Sequence, residues 1–414
     1  MDLLTGIVRG YAWGDRRAIA AMQKRSPTGE PEAELWFGAH PVAPSLVGGD
    51  GGSLLDAVAT RPAPLLGPDV ANRFGRFPYL LKVLAAAEPL SIQAHPSLDA
   101  AAAGFAKEEA AGIPIDSPVR TYRDDNHKPE LICALTPFEA KCGFRSPTSV
   151  VASIETVLGA ERANGTLPDD RGGRLLEELG HRMTSGSDQA AAIADALGWL
   201  LKLTPEEASA VVARLVGVAE ECSGPVGNGV AEEIRWTAEL HRRYPFDVGV
   251  VVSLLLNHVS LAPGDAMFLG AGNLHAYLRG VGVELMANSD NVVRGGLTEK
   301  HIDVDELLAI VDTTPAPAPV QRPTSNAHTY ESPVDEFALT RIGRSGQPLR
   351  RRFDPIGPEM LLVTEGEVAV QAVDGSVELR VGQGSAALIE AIDGPYDVVL
   401  RQETLAWRAA VGAT

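Results

Sequence analysis

At positions 90–97 the chain carries the stretch LSIQAHPS. Its length and apolar positions predict a β-strand, and Pro96 would end this strand because proline lacks the N–H group that a sheet needs. Successive side chains of a strand point to opposite faces, so Ser91, Gln93 and His95 would share one face. Three polar side chains on one face indicate either a solvated surface or the wall of a binding site, and the stretch alone leaves both interpretations open.

A second stretch, DDNHKPEL at 124–131, combines residue types that bind metals or transfer protons. Pro129 favours an extended backbone at the residue before it, so Lys128 and Glu130 would project to the same side. His127 adds an imidazole, the side chain that most readily serves as a base near neutral pH. The stretch is therefore a candidate part of an active site.

A third stretch, AGNLHAYL at 271–278, places Asn273, His275 and Tyr277 on one face if it forms a strand. Two histidines and a carboxylate from separate strands are a common ligand set for zinc or Fe(II). His95, His275 and Glu130 could form such a set, whereas no spacing rule selects Gln93. The other histidines, apart from His127, are expected to be ordinary core or surface residues.

The order of the predicted elements indicates a mainly β protein with a helical insertion. Short apolar segments bounded by Gly and Pro, among them ELWFGAHP, PYLLKVL and PELICAL, predict strands before residue 147. Apolar residues recur at helical spacing from about Ser149 to Leu240, with a helix start signal at Thr204 and Pro205. Strand-like segments return with DVGVVVSLLLNHVSL from Asp247, and a proline-rich linker at 313–325 precedes a second set of strands.

The composition restricts the class of protein. A chain of 414 residues is longer than one compact core normally holds, which favours two or three domains. The formal net charge of -18, with no broad basic stripe, argues against a nucleic-acid partner. The three cysteines form no CxxC pair, and the chain shows neither a signal peptide nor an apolar run that could span a bilayer. We therefore expect a cytoplasmic protein with no membrane partner, and a monomer by default.

Taken together, the motifs resemble the type I mannose-6-phosphate isomerases. The resemblance covers about the first 320 residues and rests on YAWGD, AELWFGAHP, KVLAAAEPLSIQAHP, DDNHKPEL and GNLHAYLRGVGVELMANSDNVVRGGLT. It implies one zinc ion per chain, with the family's ligands falling on Gln93, His95, Glu130 and His275. Gln93 becomes a candidate ligand through this resemblance alone.

The fold implied by the resemblance is similar to that of cupins, with two jelly-roll β-barrels and an α-helical domain. Residues 1–147 and 241–318 would form a discontinuous catalytic domain that binds zinc, and residues 148–240 the helical insertion. Residues 319–414 would form a cupin-like domain without metal, although this part matches the family only in pattern.

The implied reaction is the interconversion of D-mannose 6-phosphate and D-fructose 6-phosphate through a cis-enediol. Arg294 falls on the family's active-site arginine, and Lys128 and His127 are the nearest candidates for the proton transfer. A sugar phosphate would be the small-molecule partner. Its expected contacts are Ser91, Lys82, Tyr277, Glu284, Asp290 and Lys300. Lys82, Lys128 and Lys300 are the candidates for its phosphate.

Two other classes of function fit part of the pattern. An Fe(II) cupin oxygenase would use His95, His275 and Glu130 as its ligands, but Gln93 would then fill a position that such iron needs open. A non-catalytic cupin that binds a sugar phosphate or a metal is the second alternative, and the presence of both Lys128 and Arg294 argues against it.

Overall fold

The structure is a computed structural model of the chain, and it describes residues 1–48, 51–163, 171–221, 229–343, 349–401 and 403–412. These residues form mainly β-sheet with a set of helices. Cys133 and Cys142 are buried free thiols, and Cys222 lies outside the described residues. Of the helices described, none combines the length and apolar character needed to cross a membrane.

The strands follow one another along the chain as β1 (Asp2–Thr5), β2 (Ile7–Arg9), β3 (Glu34–Phe37), β4 (Leu46–Val47), β5 (Gly52–Ser53), β6 (Tyr79–Ala86), β7 (Ile92–Ala94), β8 (Glu130–Ala134), β9 (Phe138–Phe144), β10 (Leu256–Leu261), β11 (Ala266–Leu269), β12 (His275–Ala287), β13 (Val293–Gly296), β14 (Val320–Gln321), β15 (Ala327–Thr329), β16 (Ala338–Gly343), β17 (Leu349–Phe353), β18 (Glu359–Glu365), β19 (Glu367–Ala372), β20 (Glu378–Gly382), β21 (Ala386–Ile389), β22 (Tyr396–Leu400) and β23 (Leu405–Ala410).

The α-helices are α1 (Ala18–Met22), α2 (Leu54–Thr60), α3 (Pro62–Leu66), α4 (Pro68–Phe74), α5 (Leu98–Ala110), α6 (Pro147–Ala163), α7 (Arg171–Met183), α8 (Gln189–Leu201), α9 (Pro205–Glu221), α10 (Gly229–Arg243), α11 (Gly249–Val252) and α12 (Val304–Ile310). Two short 3-10 helices cover Ser253–Leu255 and Ala391–Asp393.

A large sheet of eleven strands carries the three polar stretches of the sequence, and β12 is its centre. The later part of β12 pairs with β6 and β8, and its first residues pair with β7 and β9. Gly280, with a φ of 132°, lies between these two parts, where a Cβ atom would come within 2.7 Å of the Phe138 side chain. The predicted strands of the first 147 residues are confirmed, because ELWF, YLLKVLAA, IQA and ELICA form β3, β6, β7 and β8.

Five helices, α6 to α10, follow one another between β9 and β10, as the helical spacing predicts. The start signal of α9 is confirmed, since the Glu207 N–H donates to Thr204 Oγ1 over 3.3 Å and the Thr204 N–H donates to Glu207 Oε2 over 3.0 Å. The hydrophobic core of these helices also contains Ile92 of β7 and Ala276 of β12. The helices therefore cover one face of the strands that carry Gln93 and His275, and leave those two side chains to the other face.

The prediction of a strand immediately after Asp247 is wrong, because residues 249–255 form α11 and a 3-10 turn. Asp247 Oδ1 accepts hydrogen bonds from the N–H groups of Gly249, over 2.7 Å, and Leu297, over 3.0 Å. These bonds fix a turn at the start of an apolar run that is buried throughout. Periodicity does not separate a buried helix from a buried strand in so short a run.

Strands after residue 325 form two further sheets. One has four strands, β17-β22-β19-β20, and the other has eight, β15-β16-β23-β18-β21-β1-β4-β5. The eight-stranded sheet includes β1, β4 and β5 from the beginning of the chain, which the predicted boundaries place in the other domain. Leu4 of β1 is 1% exposed, so burial of this side chain accompanies the pairing of β1 with β21.

One hydrophobic core joins the large sheet to the eight-stranded sheet. It contains Leu131 and Cys133 of β8 together with Phe337 and Trp407 from the C-terminal part. Ile132 and Ala134 of the same strand lie in a different core on the opposite face of β8. Glu130 shares that second face, so β8 presents Glu130 away from the C-terminal sheets.

Candidate active site

The side chains of His95, Glu130 and His275 converge in the large sheet. One ligand atom of each lies within 4.8 Å of the others. His95 Nε2 is 3.4 Å from Glu130 Oε1, and His275 Nε2 is 3.5 Å from Glu130 Oε2. Each of the three residues is at most 2% exposed. Ligand-type atoms from three separate strand regions therefore meet in one buried place.

Hydrogen bonds at the other ring nitrogens fix both imidazoles. His95 Nδ1 donates to the carbonyl oxygen of Asn291 over 2.8 Å, and His275 Nδ1 donates to that of Asn273 over 3.0 Å. These bonds select the tautomer in which Nε2 carries a lone pair, which is the form that binds a metal. Both Nε2 atoms and Glu130 Oε2 are buried, and no described residue provides them with a hydrogen-bond partner.

The donor set fits a zinc ion. Buried polar atoms are normally hydrogen-bonded, so three unpartnered ones that converge indicate a ligand that is part of the functional protein. Two imidazoles and a carboxylate are ligands that zinc accepts. Gln93, the fourth predicted ligand, lies directly opposite His275 in the pairing of β7 with β12.

The electrostatics favour the ligand forms of these groups. Burial lowers the pKa of His95 to about 4, so its ring is neutral at neutral pH. Burial acts to raise the pKa of Glu130, but Lys128 and His95 outweigh it and hold this pKa well below its usual range. Both groups are therefore already deprotonated when a metal binds.

Lys128 and His127 point in different directions. Lys128 Nζ lies 3.1 Å from Glu130 Oε1, which confirms the prediction that these two side chains project to the same side. His127 Nε2 instead donates to Glu336 Oε1, 2.6 Å away in the segment before β16. Of the two residues predicted for proton transfer, only Lys128 contacts one of the three converging side chains.

Lys82 and Glu284 are neighbours across β6 and β12, and both are buried. Lys82 Nζ lies 3.0 Å from Glu284 Oε2 and 3.3 Å from Glu34 Oε1. Burial acts to lower the pKa of Lys82, but the two carboxylates raise it overall, whereas burial raises the pKa of Glu284. Tyr277 lies on the same strand, with its ring 5.8 Å from that of His275, and burial raises its pKa.

Asp290 lies beside a histidine that the sequence did not single out. His40 Nε2 is 3.5 Å from Asp290 Oδ1, and the imidazole lowers the pKa of this carboxyl. The backbone N–H of Val42 donates to His40 Nδ1 over 3.3 Å, which leaves the proton of the ring on Nε2. Asp290 remains 44% exposed at its side chain and is therefore accessible to a ligand.

Arg294 lies next to Gln93 in the pairing of β13 with β7. The guanidinium is half-buried, and no carboxylate of a described residue forms an ion pair with it. Burial and repulsion by Arg123 lower the pKa of Arg294, and burial, Arg294 and Arg123 lower that of Lys300. These three cations form a positive cluster beside the metal ligands. Ser91, immediately before β7, is half-buried.

Several residues with a role in this geometry were missed by the sequence analysis. Asn291 holds His95 through its carbonyl, and its side chain accepts the N–H of Arg123 over 2.7 Å. Asn291 could have been found from its place within the SDN motif, whereas no sequence pattern indicates a role for Glu34, Arg123 or Glu336. Their contacts join residues far apart in the chain, which no local pattern encodes.

Comparisons with known proteins identify the family. The family model for the phosphomannose isomerase type I catalytic domain matches residues 1–147. The mannose-6-phosphate isomerase of Escherichia coli (strain K12) is 39% identical over 406 residues, which cover 96% of this chain and 97% of the relative. The chain belongs to the mannose-6-phosphate isomerase family.

Other members of the mannose-6-phosphate isomerase family agree with this assignment. The enzyme of Rattus norvegicus is 33% identical over 413 residues, covering 92% of this chain and 91% of the relative. A crystal structure of mannose 6-phosphate isomerase bound with zinc and yttrium is similar with a TM-score of 0.86 at 36% identity, over 100% of both chains. The apo form from Salmonella typhimurium has a TM-score of 0.85 at 35% identity, over 100% of this chain and 99% of that one.

The predicted resemblance to the mannose-6-phosphate isomerase family is thereby confirmed. The zinc-bound relatives agree with the ligand chemistry of His95, Glu130 and His275. Membership in this family also favours isomerase chemistry over the Fe(II) oxygenase and the non-catalytic cupin.

Proposed function

We propose that this protein is a zinc-dependent aldose–ketose isomerase that interconverts D-mannose 6-phosphate and D-fructose 6-phosphate. The observation that carries the proposal is the convergence of three buried, unpartnered ligand atoms, on His95, Glu130 and His275, in a chain of this family. One zinc ion per chain would be held by these residues and by Gln93. When bound, the ion supplies a Lewis acid for the oxygens of the sugar.

The phosphate of the substrate binds at the positive cluster in this proposal. Arg294 is half-buried with no ion-pair partner among the described residues, and burial together with the neighbouring cations lowers the pKa of both Arg294 and Lys300. A dianionic phosphate would relieve this repulsion. Lys82 is less suited to the phosphate than was expected, because Glu34 and Glu284 already neutralise it.

The sugar would then lie between the positive cluster and the metal ligands. Ser91 and Tyr277 provide hydroxyl groups on this face, and Asp290 provides an accessible carboxylate. The Lys82–Glu284 pair forms a fixed polar wall, since both side chains are buried and bound to one another. These residues orient the open-chain sugar for a shift of the carbonyl between C1 and C2.

The isomerisation removes a proton from C2 of the aldose and returns one to C1 of the cis-enediol, while O1 gains a proton and O2 loses one, so that the carbonyl passes from C1 to C2. We assign this transfer to Lys128, which accepts the proton as a neutral amine after releasing its own, because its Nζ lies beside the metal ligand Glu130. Arg294 stabilises the negative charge that develops on the oxygens, since a guanidinium stays protonated and presents a fork of donors. His127 is assigned a supporting role, because Glu336 already holds its ring.

We further propose the cupin-like architecture for this chain. The catalytic domain would take residues 1–147 and 241–318 without β1, β4 and β5, the helical domain 148–240, and the metal-free domain 319–414. The pairing of these three strands with the later part of the chain supports the change at the first boundary. A cytoplasmic monomer without a nucleic-acid or membrane partner completes the proposal, and light scattering of the purified protein would test the oligomeric state.

A metal-depletion experiment tests the function. The protein is treated with a chelator, dialysed and assayed for fructose 6-phosphate formed from mannose 6-phosphate. Loss of activity and its recovery with about one equivalent of zinc per chain are expected. Full turnover by the depleted protein would contradict the zinc assignment, and absence of turnover with zinc restored would contradict the isomerase. Uptake of oxygen coupled to turnover with Fe(II) would instead identify an oxygenase.

A further inference from the structure

A hydrogen bond joins the metal-site segment to the C-terminal part of the chain. His127 Nε2 donates to Glu336 Oε1 over 2.6 Å, and the two side chains are only 19% and 11% exposed. His127 lies three residues before the metal ligand Glu130 and directly before Lys128. Glu336 lies 209 residues further along the chain, two residues before β16.

The two faces of this segment have different partners. Lys128 and Glu130 contact one another on the side of the metal ligands. Leu131 points the other way, into the core that β8 shares with the C-terminal sheets. His127 points towards Glu336 of the same C-terminal part. The segment therefore presents its reactive groups on one side and is attached on the other.

Glu336 is fixed in place by its neighbours. Phe337 is fully buried in the shared core, and Ser332 Oγ donates to the Phe337 carbonyl over 3.1 Å. The N–H of Gly412 donates to the carbonyl of Asp335 over 3.1 Å. Burial acts to raise the pKa of Glu336, but the contact with His127 outweighs it and lowers this pKa. A rigid, ionised carboxylate thus holds the imidazole.

The segment has no regular secondary structure of its own to fix it. Residues 126–129 belong to no helix or strand, and Pro129 contributes no N–H to a sheet. The Ala287 N–H donates to the Pro129 carbonyl over 3.2 Å, and Asn126 forms hydrogen bonds with Asn288, Ser289 and Asn291. These bonds attach the segment to residues 287–291, whereas His127 attaches it to the C-terminal part. Without the His127–Glu336 bond, the side chains of Lys128 and Glu130 would sample more positions.

We propose that Glu336 is a positioning residue, which acts from the C-terminal part of the chain through His127 to set the placement of Lys128 and Glu130. The inference rests on the proposed function and gives the C-terminal sheets a role in it. Glu336 touches none of the metal ligands directly. Its effect is on the geometry of the two groups that bind the metal and transfer the proton.

The test compares variants of the full-length, zinc-loaded protein. Glu336→Ala is expected to lower kcat by about 10- to 100-fold with little change in KM, and to weaken zinc binding in a chelator competition by a similar factor. Glu336→Gln keeps an acceptor at the same reach and is expected to retain most of both properties. Asp335→Ala is the matched control, because it removes an exposed ion pair with Arg73 from the same segment.

A double variant separates positioning from general stability. If Glu336 acts through His127, then Glu336→Ala has no further effect on kcat or zinc binding in a His127→Ala background. Additive losses in the double variant, or equal losses in Asp335→Ala and Glu336→Ala, would overturn the proposal. The zinc competition does not depend on turnover, so it tests Glu336 even if the wild-type protein lacks the proposed isomerase activity.

Discussion

Glu130 and Glu359 are both the first residue of a buried strand, but their surroundings differ. Glu130, on β8, is 2% exposed, and its two oxygens face the Nε2 atoms of His95 and His275, which have no hydrogen-bond partner among the described residues. Glu359, on β18, is 1% exposed, and both of its oxygens accept hydrogen bonds from Arg408. The hydroxyl of Tyr396 donates to Glu359 Oε2 as well.

The difference separates a binding site from a structural network. A buried charge is tolerated when its partners satisfy it, and the network around Glu359 is complete within the protein. The group around Glu130 is incomplete without a ligand, although Lys128 partly compensates its charge. Glu130 and Glu359 are thus both buried carboxylates, but of these two only Glu130 is arranged to bind a ligand.

The largest effect is expected from Glu130→Gln. The substitution keeps the shape of the side chain but removes the charge that attracts the metal, so zinc content and activity should fall together. A metal that acts as a Lewis acid contributes several kcal/mol to catalysis, which corresponds to a loss of about 10³-fold in kcat. Plasma emission measures the zinc content, and the rate of fructose 6-phosphate formation measures the loss of activity. Retention of one zinc per chain in Glu130→Ala, which offers no ligand oxygen at this position, would remove Glu130 from the ligand set.

Glu359→Ala tests whether the network around Glu359 is purely structural. Arg408 would remain buried without its partner, and breaking such a pair costs about 3–5 kcal/mol of the free energy of unfolding. Urea denaturation measures that loss. At low temperature, where the variant is still folded, its zinc content and kcat should equal those of the wild type. A metal or activity defect in the folded variant would show that the two networks are coupled.

Arg294→Ala extends the comparison from the two carboxylates to two arginines, Arg294 and Arg408. Arg408 is fully paired, whereas Arg294 has no ion pair with a described residue and lies beside Gln93. Removing one donor that stabilises developing charge costs about 10²- to 10³-fold in kcat. We therefore expect kcat to fall more than KM rises, with stability nearly unchanged. A rise in KM alone would limit Arg294 to anchoring the phosphate and would contradict its role in stabilising the developing charge.

The sequence predicted the parts of this site that depend on local order. Alternation along β7 and the effect of Pro129 placed Gln93 with His95, and Lys128 with Glu130, on common faces. The types of residue then indicated a metal, but only resemblance to a family added Gln93. What brings these strands together is the pairing of β12 with β6, β7, β8 and β9, and no pattern in one segment encodes a partner elsewhere in the chain.

The same limit explains the parts that were missed. Lys82 was expected to be available for phosphate, but Glu284, 202 residues away, neutralises it. The place of β1 in the C-terminal sheet and the bond from His127 to Glu336 also join distant segments. The helix at 249–255 was missed for a different reason, because an apolar run that is buried on all sides has no periodicity to interpret.

Lys141 tests the distinction between Glu130 and Glu359, because it is an unpartnered polar group outside the metal site. It lies on β9, its side chain is fully buried, and no described residue forms a hydrogen bond with its Nζ atom. Burial lowers its pKa to about 8 from 10.5. His258 lies opposite it in the pairing of β9 with β10, and its ring nitrogens also lack a hydrogen-bond partner among the described residues, but neither residue belongs to the converging group of His95, Glu130 and His275. We therefore interpret Lys141 as a cost to stability rather than as a binding group.

Lys141→Met should raise the free energy of unfolding by about 1–3 kcal/mol at pH 7, since the methionine needs no solvation. Between pH 8 and 10.5 the unfolded wild type binds the proton that the folded protein releases, so wild-type stability rises with pH in this window. The advantage of the variant should therefore shrink from pH 7.5 to pH 9.5 in urea denaturation. Lys202→Met, at a side chain that is 62% exposed, is the control and should change little. If Lys141→Met instead loses zinc or activity, a buried polar group without a partner would indicate function outside the metal site as well. Lys141 would then be a functional group like Glu130 and not a structural one like Glu359.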